Sequence, residues 1–268
     1  MPLHLQYFDA GMNASDDHTR SIEEWRALRL HRLKSPAGWL TLVDRIVLDE
    51  GDNELPIGTI TLRGGEVHLS ARPGVTLGGA PVAERVLRSD EGGPADSLLF
   101  EGRTYELFRR GEAFAVRVKD PQAPALVEFA GIEHFPIDPA WRIVARWERY
   151  QPPRQTLHQF DLGPGWVRQV PGLARFEIGG RPLSLEPVLD EDGRRLFFVF
   201  ADETNRSESY PAGRFLYAQV PVGDEVVLDF NLAFNPPCAF TAFATCPITP
   251  VQNRLPVAVP AGEKRYRG

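Results

Sequence analysis

Asp229 and Asn231 are residues whose type and spacing could do chemistry. They lie in the segment DEVVLDFN, where a period of two places them on one face and leaves Leu228 and Phe230 on the other. A carboxylate in so apolar a strand needs a partner, because an isolated buried charge is costly. The sequence leaves two interpretations open: a salt bridge, for example to Arg214, or a general base at the mouth of a pocket.

Two cysteines follow in the segment NPPCAFTAFATC. Cys238 could be a nucleophile if a neighbouring cation favoured its thiolate, although a cysteine in this apolar context more often packs as a small hydrophobic residue. The spacing between Cys238 and Cys246 fits neither a zinc site nor a C-x-x-C motif, so we expect no metal and no other cofactor. A hairpin here would bring the two sulfurs together and allow a reversible disulfide.

A wider set of polar residues shares this half of the chain with many phenylalanines. A mostly apolar cavity with a few convergent polar groups is what a small-molecule site requires. We therefore predict that the protein binds a small polar molecule in an aromatic-lined pocket of its C-terminal half. The candidate ligand-binding residues are Asp202, Thr204, Tyr210, Arg214, Asn231, Asn235 and Asn253.

Two other functions compete with ligand binding. The first is a hydrolase or transferase that uses Asp229 as general base or Cys238 as nucleophile. The second is a non-catalytic structural or protein-interaction module, in which the polar residues satisfy one another. No Ser-His-Asp order, G-x-S-x-G, P-loop or H-E-x-x-H motif favours the enzyme.

Composition narrows the choice of partners and compartment. The chain has a formal net charge of −6 and a pI near 5.6, so it has no global basic field, and we expect no nucleic-acid partner. No secretory h-region or long apolar run is visible, which predicts no membrane partner. Two cysteines without an export signal indicate a cytoplasmic protein. A homo-oligomer is compatible with these properties.

The local patterns predict an all-β protein with one N-terminal helix. Residues 1–20 are expected to form a loose tail, and Ser21 with Glu24 forms a capping box for a helix that ends at SPAGW. Its apolar face is predicted to hold Ile22, Trp25, Leu28 and Leu33.

From residue 39 onward, short alternating runs are joined by glycine-containing turns, which predicts two antiparallel β units. We expect a sandwich-like first half, and a barrel or curled sheet in the second. In FAVRV, Ala115, Arg117 and Lys119 are expected on the exposed face of a half-buried strand. Prolines in FPIDPAW suggest a boundary between residues 21–135 and 136–268.

Several segments together resemble one family. They include GWLTLVDRIVLDEGDN, FAGIEHFPIDPAWRIVARW and, most specifically, the last forty residues, where Asp-Phe-Asn, Asn-Pro-Pro-Cys, Thr-Cys-Pro, Asn-Arg-Leu and Ala-Gly-Glu-Lys follow in order. From about residue 22 to the C-terminus the chain resembles domain of unknown function 1684, a family of uncharacterised bacterial and archaeal proteins. This resemblance implies no particular activity. The first half also resembles a forkhead-associated sandwich, which implies geometry but no ligand.

Overall fold

The first element of the described chain is a helix that is longer than predicted. The computed structural model describes residues 14–160, 163–190 and 192–267, so most of the predicted tail, residues 1–13, lies outside the described residues. Helix α1 spans Ala14–Lys34. The Ser21 hydroxyl donates to the carbonyl of His18 at 2.7 Å, within the helix, so the predicted capping box is wrong. The helix ends just before the predicted stop at SPAGW, where Pro36 has no N–H to continue it.

The buried stripe of α1 differs from the predicted one at a single position. Ile22 and Leu33 are each only 1% exposed, whereas Leu28 is 46% exposed. Arg29 occupies the position in the buried stripe that was predicted for Leu28, because it follows Ile22 by two helical turns and precedes Leu33 by one. Its guanidinium meets the buried carboxylate of Glu263 at 2.7 Å.

The first half of the chain contains ten strands. They are β1 (Leu42–Val47), β2 (Gly51–Leu55), β3 (Gly58–Arg63), β4 (Glu66–Ala71), β5 (Thr76–Leu77), β6 (Ala80–Pro81), β7 (Glu84–Val86), β8 (Ser97–Phe100), β9 (Arg103–Arg110) and β10 (Ala113–Lys119). A short 3-10 helix, Trp39–Thr41, precedes them, and helix α2, Pro124–Val127, follows.

The second half contains seven more strands. They are β11 (Arg142–Phe160), β12 (Gly163–Ile178), β13 (Arg181–Leu185), β14 (Val188–Leu189), β15 (Arg195–Phe200), β16 (Arg214–Gln219) and β17 (Glu225–Asp229). Five 3-10 helices accompany them among the described residues: Pro139–Trp141, Glu203–Arg206, Phe230–Leu232, Pro237–Ala239 and Val251–Asn253.

All these strands pair antiparallel, in two sheets for each half, which confirms the predicted fold class. In the first half, a sheet in the order β1-β10-β9-β8-β5-β6 and a sheet in the order β2-β3-β4-β7 share one core. In the second half, the sheets β13-β12-β11-β17 and β14-β15-β16 share another. Neither of these two sheets closes on itself in the described chain, so the barrel alternative is wrong.

Strand β10 is buried on both faces, not on one. Val116 and Val118 fill the core as predicted. On the other face, however, Ala115 is only 4% exposed and Lys119 only 8%, and the Lys119 ammonium meets Glu106 at 2.6 Å. Other parts of the chain cover this face, including Trp39, whose ring lies 5.4 Å from the guanidinium carbon of Arg117. The alternation in FAVRV therefore separates two buried environments.

None of the described helices combines the length and the hydrophobicity that a membrane span requires.

Candidate functional site

Arg214 lies at the start of β16 and is the largest fully buried side chain in the described chain. Its Nη2 donates to Asp202 Oδ2 at 2.7 Å and to the Val259 carbonyl at 2.8 Å. Its Nη1 donates to the carbonyls of Ala261 and Glu263. The guanidinium therefore fastens the C-terminal segment to the second-half core, and it does not meet Asp229 as one interpretation expected.

Asp202 and Thr204 belong to the same internal network. The other carboxylate oxygen of Asp202 accepts from the backbone N–H of Thr204 at 2.9 Å and of Val259 at 3.1 Å. Asp202 is thereby the N-cap of the 3-10 helix Glu203–Arg206. The Thr204 hydroxyl lies 2.7 Å from that of Ser209. Both residues thus shape and hold a turn.

Asp229 lies at the end of β17, next to helix α1. Its Oδ2 lies 2.6 Å from His18 Nε2, and its Oδ1 accepts from the backbone and side-chain nitrogens of Asn231 at 3.1 and 2.9 Å. The side chain of Asn231 also makes two hydrogen bonds with the backbone of Asp138. Asp229 and Asn231 do point together, but their contacts connect helix α1, β17 and the segment around Asp138.

Asn235 and Asn253 also contact the backbone of distant segments. The amide nitrogen of the Asn235 side chain donates to the Lys264 carbonyl at 2.8 Å, and its backbone N–H donates to Glu263 at 2.7 Å. Asn253 exchanges two hydrogen bonds with the backbone of Glu186. Each asparagine substitutes for a strand partner where the chain is irregular.

Tyr210 and Cys238 form a further contact. The Tyr210 hydroxyl donates to the Cys238 carbonyl at 3.0 Å. Burial, followed by the proximity of Cys238 and Cys246, raises the pKa of the Tyr210 phenol. Tyr210 is therefore a hydrogen-bond donor near both thiols at neutral pH.

A cavity of about 380 Å³ lies elsewhere, and none of the catalytic or ligand-binding candidates predicted from the sequence lines it. Its floor is the outer face of β15 and β16. Phe197 and Tyr217 are directly opposite each other in the register, with ring centroids 5.0 Å apart, and Phe215 meets Phe197 edge to face at 4.9 Å. The alternate residues Phe198 and Leu216 point to the core and are fully buried. The period of two therefore directs one aromatic set inward and another into the cavity.

The first half of the chain supplies the opposite wall. Trp39, Arg110 and Arg117 line the cavity from the 3-10 helix before β1, the end of β9 and the middle of β10. A third wall comes from the proline-rich segment 237–247, through Pro237, Thr245 and Pro247. The prolines in this segment prevent it from forming a central strand, so it lies against the cavity as an irregular wall.

The guanidinium of Arg117 is partly desolvated at this wall. It lies 4.2 Å from the centroid of the Phe108 ring, and its Nη1 lies 3.3 Å from Asp90. Arg110 contacts the same carboxylate at 3.0 Å. Burial lowers the pKa of Arg117 below the ordinary arginine value, while Asp90 opposes this change. Arg117 nevertheless stays charged, since an arginine is not deprotonated in proteins at ordinary pH.

Arg195 stands at the other end of the floor. Its guanidinium carbon lies 4.1 Å from the centroid of the Tyr217 ring, and its Nε donates to Asp190 at 2.9 Å. In total, Arg110, Arg117, Arg168 and Arg195 line the cavity, against Asp190 and Asp192. Thr245 adds a buried hydroxyl that has no hydrogen-bond partner within the described residues. The cavity thus combines an aromatic floor with four guanidinium groups, of which Arg110 and Arg117 contact Asp90 and Arg195 contacts Asp190.

Sequence reasoning missed most of this constellation. The alternation in RRLFFVF and RFLYAQ carries a signal for Arg195, Phe197, Phe215 and Tyr217, because it places them on one face of adjacent strands. The contribution of Arg117 has no such signal. Its strand could equally face solvent, and only the packing of distant segments makes it a cavity wall.

Comparisons with known proteins identify a family but no activity. The family model described as "Protein of unknown function (DUF1684)" matches residues 127–264. A solution NMR structure of an uncharacterized protein of Haloarcula marismortui is 31% identical in sequence, with a TM-score of 0.45, over 54% of this chain and 82% of that chain. No curated protein matches the chain, and no comparison shows the forkhead-associated likeness. On the strength of the family match, the chain belongs to the DUF1684 family.

Proposed function

We propose that the protein binds a small organic anion with a flat apolar body in the cavity between β15–β16 and the first half. The observation that carries the proposal is the arrangement of Phe197, Phe215 and Tyr217 as a floor with arginines at both ends. Its volume of about 380 Å³ suits a small molecule, since ligand sites span about 300 to 1,000 Å³. We propose this cavity in place of the aromatic-lined pocket that the sequence predicted within the C-terminal half, since its polar residues are different and the first half supplies one wall.

The charges indicate which end of the ligand each wall would hold. Arg110 and Arg117 share the Asp90 carboxylate at 3.0 and 3.3 Å. A ligand carboxylate or phosphate would offer the same acceptor geometry, because such groups accept paired N–H donors from guanidinium groups. Arg195, stacked on Tyr217, would hold a second polar group or the ring itself. Neither Asp229 nor Cys238 lines the cavity. We therefore propose that the cavity binds a ligand, and we do not propose catalysis by these two residues.

Isothermal titration with matched ligands tests the proposal. The ligands are 2-naphthoate, 2-naphthyl phosphate and the neutral isostere 2-naphthamide. We expect at least one of the anions to bind about tenfold more tightly than the amide, because charge-assisted hydrogen bonds are roughly twice as strong as neutral ones. Equal affinity of anions and amide, or no binding of any of them, would contradict the proposal.

A pair of neighbouring arginines provides the variant and its control. Arg195→Gln removes a guanidinium from the cavity, whereas Arg194→Gln removes an adjacent one that does not line it. Both positions are exposed, so both variants should fold. Arg195→Gln should weaken anion binding about tenfold and leave the amide unaffected. Arg194→Gln should bind like the wild type.

We also propose that this binding takes place in the cytoplasm. Both cysteines are thiols rather than halves of a disulfide, and a reducing compartment keeps them so. Fractionation of cells that express the protein would test this, and recovery in an exported fraction would contradict it.

A further inference from the structure

The third wall of the cavity has a cysteine at each end. Cys238 directly follows Pro237, and Cys246 lies between Thr245 and Pro247, and these three neighbours line the cavity. A covalent change at the two sulfurs would therefore act on the wall itself. Neither cysteine itself lines the cavity.

The chain folds back so that the two cysteines meet. The backbone N–H of Cys238 donates to Cys246 Sγ at 3.2 Å. Tyr210 lies near both side chains as well. Its hydroxyl donates to the Cys238 carbonyl at 3.0 Å, and both cysteines add to the effect of burial in raising the pKa of its phenol. The sulfur of Cys246 therefore lies against the backbone of the residue whose sulfur it would join.

The surrounding backbone favours this closure. The short 3-10 helix Pro237–Ala239 holds Cys238, and Pro247 restrains the backbone just after Cys246. Ends that are already fixed near each other lose little further entropy when a bond joins them. In a reducing compartment, such a pair is more often a reversible redox site than a permanent crosslink.

We infer that Cys238 and Cys246 form a reversible disulfide that switches the cavity wall between two arrangements. The oxidant is a low-molecular-weight disulfide such as glutathione disulfide. The Cys238 thiolate attacks one of its sulfurs and expels one glutathione thiolate. The Cys246 thiolate then attacks the Cys238 sulfur and expels the second. Two electrons pass from the protein thiols to glutathione disulfide, and the two thiol protons end on the two glutathione molecules.

The exposures of the two residues set the order of attack. Cys238 is half-buried, whereas Cys246 is only 9% exposed. A bulky disulfide therefore reaches Cys238 first, and Cys246 serves as the resolving thiol.

Mass spectrometry of the full-length native protein after incubation with glutathione disulfide tests the chemistry. The wild type should lose two hydrogens, carry no adduct and regain them with dithiothreitol. Cys246→Ser should instead keep one glutathione on Cys238, because no resolving thiol remains. Cys238→Ser should react far more slowly. A stable glutathione adduct on the wild type, or thiols that react only after denaturation, would overturn the inference.

The effect on the cavity rests on the proposed ligand site and has a separate readout. Titration of the tighter-binding of the two naphthyl anions into the reduced and the oxidised protein should give affinities that differ by about fivefold or more, as for typical coupling between sites. The Cys246→Ser variant without glutathione should bind like the reduced wild type. Equal affinities in both redox states would refute the switch of the wall and leave the disulfide chemistry standing. If neither 2-naphthoate nor 2-naphthyl phosphate bound the reduced protein, that would count against the ligand site instead. The switch would then be judged on the Thr245 and Pro247 NMR signals, which must shift on oxidation.

Discussion

Arg214 donates to Asp202 at 2.7 Å, and neither side chain is exposed to solvent. The pair lies under the C-terminal segment, whose carbonyls at Val259 and Ala261 accept from the same guanidinium. A buried ion pair contributes little by itself, but removing one partner leaves an uncompensated charge in the interior. The two residues therefore act as a fastening for residues 259–263.

Arg214→Leu should destabilise the protein strongly. It leaves Asp202 without its cation and removes the guanidinium donor of the Ala261 and Glu263 carbonyls, which costs about 3 to 5 kcal/mol of unfolding free energy. Urea denaturation followed by circular dichroism measures the loss. The exposed Arg194→Leu serves as control and should change stability by less than about 0.5 kcal/mol. A loss at Arg214 no larger than at Arg194 would mean that the network is dispensable.

His18→Ala should detach helix α1 from the end of β17. The imidazole lies 2.6 Å from Asp229, and both side chains are almost buried. Losing a hydrogen bond to a charged group costs about 1.5 to 3 kcal/mol. Hydrogen exchange of the α1 amides should accelerate by the corresponding factor.

The control for this helix contact is His31→Ala, an exposed histidine in the same helix. It tests whether loss of any α1 imidazole has the same effect. Similar exchange rates in the His18 and His31 variants would show that the contact with Asp229 does not hold the helix.

His134 should make stability depend on pH in the mildly acidic range. Burial, followed by the charge of Arg26, lowers its pKa from 6.5 to about 4, and its Nε2 is buried with no hydrogen-bond partner among the described residues. Between these two pH values the unfolded state binds more protons than the folded state, so stability falls as the pH falls from 6.5 to about 4. The loss should reach about 2 kcal/mol.

His134→Gln should flatten this dependence, because glutamine does not titrate. Thermal unfolding at pH values across that window measures it, with His68→Gln as control, since His68 is exposed beside Glu66. If the wild type and His134→Gln lost stability in parallel, other groups would have to carry the pH dependence.

Asp96 should make stability depend on pH only in strong acid. Burial alone would raise its pKa, but hydrogen bonds from Arg85 and Arg88 outweigh this and lower the pKa to about 2. The folded-state pKa lies below the unfolded value of 3.8, so the stabilisation is present above pH 3.8 and is lost as the pH falls through about 2.

Asp96→Asn should cost at most about 2 kcal/mol at pH 7, because Arg85 and Arg88 are partly solvated. It should also lose the acid-dependent change between pH 3.8 and about 2. Asp52→Asn, at an exposed carboxylate on the neighbouring sheet, should have neither effect. If wild type and Asp96→Asn lost stability identically as the pH falls, the result would contradict this prediction.

The sequence by itself determined the class of fold and many of its elements. The helix before residue 35, the alternation in RRLFFVF and the turns at glycine pairs are local features, set by side-chain period and by backbone sterics. It also predicted that Asp229 and Asn231 point together, and they do, but for another reason: Asp229 is the N-cap of the 3-10 helix Phe230–Leu232, so its carboxylate accepts from Asn231.

Only the tertiary structure decided what these groups meet. Asp229 has His18 of a distant helix as its partner, and Arg214 has Asp202, a choice that no local pattern contains. The cavity is a product of the same kind of contact, since Arg117 and Tyr217 come from different halves of the chain. Periodicity fixes which way a side chain points relative to its own strand. It cannot fix what packs against that face, because that depends on long-range contacts between segments far apart in sequence.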